Sequence, residues 1–289
     1  MHLPACAQDQ QRRIRSILTA LAIGIAVTAC AGIPSGKMSG ASDVAAFDLN
    51  NIDTNKSAKS QESRVKFIIL HYTALDMALS LKVLSEQAVS SHYLIGDDSP
   101  GKVYRLVDES RLAYHAGVSS WKTYPHLNAN SIGIEIVNLG YQDTPSGRIY
   151  PPYPAHQIDT LIVLLKDIVK RHQIQAENIL GHSEIAPQRK PDPGPLFPWK
   201  KLADAGLVNW PDIQQVQLRQ TVFEQQLPDV IWFQQKLAQH GYAVPQTGVW
   251  DQATRNVMIA FQTRYRPSLF DGNPDAGSAA LLDVLTQSP

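Results

Sequence analysis

Val65-Lys66-Phe67-Ile68-Ile69-Leu70 is an apolar, β-rich run that reads as a buried strand, and a histidine, His71, stands at its end. Downstream, Met77 to Val89 spaces Leu79, Leu81, Leu84 and Val89 as a helical stripe. His92-Tyr93-Leu94-Ile95 before Gly96-Asp97-Asp98 reads as strand then turn, and Val103 to Val107 as a second short strand, so the two are expected to form a hairpin around Ser99-Pro100-Gly101. In Ser131 to Asn138, Ile132, Ile134 and Ile136 share one face of a strand, which puts Glu135 on the other face with Gly133 and Val137. His156 to His172 is the strongest helix, with Ile158, Leu161, Ile162, Leu165, Ile168 and Val169 at three-to-four spacing. Glu177 to His182 follows as a short strand entering a loop. Strands and helices in this order predict an α/β fold, a central mixed β-sheet flanked by helices.

The 289 residues, 44% of them hydrophobic, suffice for two domains and exclude a wholly disordered chain, a collagen-like repeat or a long coiled coil. The balance of 26 Lys+Arg with 26 Asp+Glu argues against a nucleic-acid binder that works through a broad basic face, and no nucleic-acid partner is expected. Both cysteines, Cys6 and Cys30, fall in the first thirty residues, so the folded part has neither a disulfide framework nor a cysteine-rich zinc site.

Arg12, Arg13 and Arg15 precede an apolar run, Ile17 to Ala29, that closes on small residues, as in a secretory signal peptide. The run is shorter than the roughly 20 apolar residues of a spanning helix. Val27-Thr28-Ala29-Cys30 resembles the lipobox of bacterial lipoproteins. That resemblance implies removal of residues 1–29, lipidation of Cys30 and, with Ala31 rather than Asp after the cysteine, sorting to the outer membrane. An ordinary secretory signal with an incidental cysteine is the alternative. Residues 30–63, rich in Ser, Lys, Asn, Asp and Gly, read as a lipidated tether.

His71 and His182 end two strands, and Asp192 sits in Pro191-Asp192-Pro193-Gly194-Pro195, where flanking prolines restrict the loop. Two imidazoles and a carboxylate are a set that catalytic zinc accepts, with water in the fourth position. Spacing alone does not assemble them: there is no H-E-x-x-H, and singly each is as readily a core histidine or a solvated carboxylate.

Five separated segments occur in one order: Ile68-Ile69-Leu70-His71-Tyr72-Thr73, Ser90-Ser91-His92-Tyr93-Leu94-Ile95, His115-Ala116-Gly117, Asn130-Ser131-Ile132-Gly133-Ile134-Glu135, and Gly181-His182-Ser183-Glu184 continuing to Lys190-Pro191-Asp192-Pro193-Gly194. Together they resemble the zinc-dependent N-acetylmuramoyl-L-alanine amidases of the type 2 amidase family, which share a fold with the peptidoglycan recognition proteins. The outer-membrane lipoprotein members are the most similar. The resemblance runs from about Val65 to Trp210, within a catalytic domain set at residues 64–210. It implies one zinc ion held by His71, His182 and Asp192, Glu135 as catalytic acid/base and Lys190 as stabiliser of the oxyanion. His92 and His115, both in family motifs, are placed near the cleft as candidate substrate contacts, with structural hydrogen bonding as the alternative. Two positions depart from the pattern: Tyr114 stands where many relatives have tryptophan, and Ser91 where some phage-type members have a catalytic tyrosine, which leaves Glu135 as the main proton carrier. His126 and His240 carry no signal.

Residues 211–226, rich in glutamine, read as a linker or connecting helix with few core residues. Residues 227–289 contain Ile231-Trp232-Phe233, Gly241-Tyr242, Thr247-Gly248-Val249-Trp250-Asp251 and Ile259-Ala260-Phe261-Gln262, and resemble the peptidoglycan-binding domain 1 family, a three-helix module. Trp232, Phe233 and Phe261 are expected in its core. The expectation is a monomeric amidase, lipid-anchored on the periplasmic face of the outer membrane, that cuts N-acetylmuramic acid from L-alanine in peptidoglycan and its muropeptides. The alternatives are a noncatalytic peptidoglycan receptor and a metallopeptidase acting within the stem peptide.

Overall fold

The computed structural model describes residue 50 and residues 52–287. The expected signal peptide, the lipobox-like segment with Cys30 and most of the expected tether lie outside the described residues. The opening run forms β1, Phe67–Tyr72, between two parallel neighbours, β6 at Ser131–Ile136 and β9 at Ile179–Gly181. Beyond β6, β2 at Tyr93–Ile95 pairs in parallel with β6 and antiparallel with β3 at Val103–Arg105, giving the order β3-β2-β6-β1-β9. The mixed sheet and the β2–β3 hairpin are therefore as the apolar pattern predicts. Around it lie a ribbon of β4, Ser120–Trp121, with β5, Tyr124–Pro125, and a hairpin of β7, Gln142–Thr144, with β8, Gly147–Ile149.

Side chains alternate across a strand, so the register decides what each face holds. Ile68 and Leu70 join Ile132, Ile134, Ile136 and Ile179 against α2, Ala155–His172, which presents Ile158, Leu161, Leu165 and Ile168. The other face carries Phe67, Ile69 and Leu180 and, at the carboxyl ends of the strands, His71 beside its register partner Glu135. Helix α1, Met77–Glu86, starts on the Asp76 carboxylate, which accepts the Leu79 N–H at 2.9 Å, and ends three residues before Val89. His182 does not prolong β9: it opens the short helix α3, His182–Ile185.

After α4, Trp199–Asp204, four helices follow: α5 at Ile213–Gln225, α6 at Val230–His240, α7 at Gln252–Tyr265 and α8 at Ala276–Leu285. Each of these four begins on an aspartate, Asp212, Asp229, Asp251 or Asp275, whose side chain accepts backbone N–H groups of the first turn. Such caps contribute about 0.5–2 kcal/mol each. The glutamine-rich stretch is thus helix α5, held by its cap, by glutamine's good helix propensity and by Val216 and Phe223, buried on one face.

One apolar cluster runs from Phe67, Ile69, Leu180 and Ile185 to Phe233, Leu237, Val257 and Phe261, so the helices complete the core on the face of the sheet that carries His71. Phe233 and Phe261 are core, as expected, and Trp232 packs at its edge. Trp121 lies edge-on to Tyr242 and to His240, at 5.0 and 5.9 Å between ring centres. Within the same layer, Arg264 of α7 reaches Glu184 of α3 at 2.7 Å and donates to the Ile179 carbonyl, while Glu184 also accepts the Gly181 N–H. Both side chains of the pair are buried, and the guanidinium stacks over Trp199.

A buried pair is costly to break from one side. Arg264→Met leaves Glu184 without its cation and is expected to lower unfolding free energy by about 3–5 kcal/mol in urea titrations, with much of it regained in Glu184→Gln/Arg264→Met; a loss of about 0.5 kcal/mol or less, the range of surface substitutions, would show that the pair holds nothing together. Burial, with Arg264 and Lys122 adding to it, lowers His240 from its ordinary 6.5 to about 3. The unfolded chain therefore takes up a proton near 6.5 that the folded chain refuses until about 3. Stability should be full above pH 6.5 and fall as pH drops towards 3, and His240→Phe should flatten that limb of the urea midpoint against pH.

Candidate metal centre and active site

Three elements bring the site together. β1 delivers His71, the turn from β9 into α3 delivers His182, and the proline-rich loop returns Asp192 over them, tied back by the Ser183 N–H donating to the Asp192 carbonyl at 2.8 Å. The return requires glycine at 181, because a Cβ there would meet Pro193 Cδ at 2.7 Å. His71, His182 and Asp192 are all buried and offer ligand atoms that could hold a metal ion. His71 Nδ1 lies 2.9 Å from His182 Nδ1, and each lies 3.1 Å from Asp192 Oδ2.

The far sides of the rings decide which nitrogens carry hydrogen. Ser131 Oγ donates its one hydrogen to the Leu127 carbonyl at 2.5 Å, so it accepts from His115 Nε2 at 3.1 Å. His115 Nδ1 is then an acceptor and takes the hydrogen of His71 Nε2 at 3.0 Å. His182 Nε2 likewise donates to the Ala116 carbonyl at 3.2 Å. Both Nδ1 atoms therefore present lone pairs, and they face each other and a carboxylate across about 3 Å with no hydrogen to share. A cation resolves this arrangement, and two nitrogens with one oxygen fit zinc. Burial, reinforced by His182, lowers His71 to about 4, so the ring is neutral at pH 7.

Glu135, beside His71 on β6, has one carboxylate oxygen buried without a partner. Burial, and then the charge of Asp192, raise it well above the ordinary range, with Lys190 opposing. Lys190 follows the turn closed by its N–H on the Ala186 carbonyl, is partly buried, and lines a groove with Tyr141, Arg148, Tyr150 and Phe270. The carboxylate is thus poised to carry a proton, and the ammonium to meet a negative charge.

His92 and His115 are both buried and held by hydrogen bonds within the protein. His92 is wholly buried, its Nδ1 accepting the Gly133 N–H at 3.0 Å and its Nε2 donating to the Arg111 carbonyl at 3.1 Å. His115 lies flat over Gly133, where a Cβ would approach its ring to 2.4 Å. Every ring nitrogen of the pair is engaged by the protein. Tyr114 is exposed at the surface, whereas Ser91 is buried. Sequence reasoning missed Arg189, whose guanidinium grips the Ala116 and Val118 carbonyls, and Asn128, whose side-chain oxygen accepts the N–H groups of His115 and Ala116. The His115-Ala116-Gly117 motif was the signal, but it names the loop and not its clamps.

The N-acetylmuramoyl-L-alanine amidase family model matches residues 61–195, and a putative peptidoglycan binding domain model matches residues 226–282. The N-acetylmuramoyl-L-alanine amidase AmiD of Escherichia coli is 40% identical over 242 residues, which cover 82% of this chain and 87% of AmiD. The structure of E. coli AmiD with the substrate anhydro-N-acetylmuramic acid-L-Ala-D-gamma-Glu-L-Lys superposes with a TM-score of 0.73 at 38% identity, covering 81% of this chain and 93% of that one. AmpDH3 of Pseudomonas aeruginosa in complex with anhydromuramic pentapeptide gives a TM-score of 0.74 at 38% identity, covering 82% and 96%. The chain therefore belongs to the N-acetylmuramoyl-L-alanine amidase family and is an amidase of that class.

Proposed function

We propose that this amidase uses zinc, held by His71 Nδ1, His182 Nδ1 and Asp192, to hydrolyse the amide between N-acetylmuramic acid and L-alanine in peptidoglycan and its muropeptides. The observation that carries the proposal is the buried convergence of three lone-pair groups beside a carboxyl whose affinity for protons is raised. The anhydromuramoyl peptides in the two relatives' structures support such muropeptides as substrates here. When bound, zinc would polarise an amide carbonyl and lower the pKa of water towards about 7. Glu135 takes the proton of the attacking water and delivers it to the departing L-alanine nitrogen, a role its raised proton affinity suits. Lys190 places its charge by the developing oxyanion. The C-terminal helices add contact with the wall, in keeping with the putative peptidoglycan binding domain match.

The same proposal places the enzyme on the outer membrane as a monomer, lipidated at Cys30 and facing the periplasm. Its support is the lipobox-like Val27-Thr28-Ala29-Cys30 after an arginine-led apolar run. The expected modules are residues 1–29, 30–63, 64–210, 211–226 and 227–289, with α5 making the fourth a helix of the folded body.

Purified disaccharide-peptide incubated with metal-free and then zinc-restored protein should give, with zinc alone, peptide-free disaccharide and a stem peptide beginning with L-alanine, read by mass spectrometry. Cleavage inside the stem would make the chain a peptidase, and bound but intact muropeptide a receptor. His182→Ala or Asp192→Ala should abolish metal loading, while Glu135→Ala keeps the metal and loses about 10²–10⁴-fold in kcat. Near-normal turnover in Glu135→Ala would remove it as the proton carrier.

A further inference from the structure

His115 lies behind the proposed metal centre and touches one of its ligands. We infer that His115 is a positioning residue, holding His71 in the tautomer that turns an unprotonated Nδ1 towards His182 and Asp192. The inference rests on the metal-site reading above. The chain of donors is His71 Nε2 to His115 Nδ1 at 3.0 Å, His115 Nε2 to Ser131 Oγ at 3.1 Å, and Ser131 Oγ to the Leu127 carbonyl at 2.5 Å. A backbone carbonyl accepts and never donates, so the direction of every bond is set from that end. A His71 protonated on Nδ1 would break the first bond and aim its N–H into the space between the ligand atoms.

The surroundings keep this ring in place. Gly133 leaves room for it on the sheet, and His92 meets it edge-on at 5.8 Å between ring centres while holding the Gly133 N–H. Asn128 fixes the backbone of His115 and Ala116. Ala116 in turn accepts the His182 Nε2 hydrogen. One clamped dipeptide thus orients both imidazoles, through the side chain of its first residue and the carbonyl of its second. Outer partners of this kind typically account for 10–100-fold in metal affinity.

The test uses the full chain with His115→Phe, which removes the acceptor, and His115→Gln, which restores one. Long-range nitrogen–proton NMR of the metal-free protein reads the His71 tautomer, and competition with a chelator reads zinc affinity. The expected result is Nε2–H on His71 in the wild type, mixed tautomers and a 10–100-fold loss of zinc affinity in His115→Phe, and recovery of most of that loss in His115→Gln. Wild-type zinc affinity with an unchanged tautomer in His115→Phe overturns the inference. If the wild type itself binds no zinc, the metal-site reading fails, and the tautomer comparison still decides the role of His115. Should His115→Phe not fold, Ser131→Ala breaks the same chain one bond further out; it should mix the His71 tautomers, and an unchanged tautomer there counts against the inference.

Discussion

Two imidazole nitrogens and a carboxylate oxygen crowd together in a buried pocket with lone pairs facing lone pairs, and the rest of the architecture serves to keep them there. Like-polarised groups about 3 Å apart are held only by a scaffold stiffer than their repulsion or by a cation between them. The scaffold is the parallel contact of β1 with β6 and β9, which sets His71, Glu135 and the start of α3 side by side at the carboxyl ends of the strands. Outward hydrogen bonds from both rings then assign the tautomers, and the loop around Asp192 closes over a glycine.

The C-terminal helices belong to this scaffold. Their aromatic core continues the apolar face of the sheet beneath His71, and Arg264 reaches into the turn that carries His182 to meet Glu184. A module resembling a wall-binding domain therefore has a structural task in the catalytic half, because the sheet face it covers would otherwise expose Phe67, Ile69 and Leu180. Compactness runs across both, in a single unit that begins at Lys59.

Much of this was legible in the sequence. Apolar runs and alternation pointed to the strands of the main sheet, and the ordered motifs named His71, His182, Asp192, Glu135 and Lys190, which the fold brings to one end of the sheet. What pattern could not show was direction. His92 and His115 share motifs with the site, yet whether a ring points into a cleft or backs onto a ligand depends on which nitrogen faces which carbonyl, a tertiary fact. The glutamine-rich stretch left a linker and a connecting helix both open because α5 buries few residues, although its aspartate cap was present. His240 and Arg264 were silent for a related reason: their partners lie far away in sequence.

The central claim is that zinc is held by one named nitrogen on each histidine. Anomalous diffraction at the zinc edge from crystals of the zinc-loaded protein reads this directly. The account predicts a single strong peak between His71 Nδ1, His182 Nδ1 and the Asp192 carboxylate. A peak on either Nε2, at another cluster, or none at full loading would contradict it.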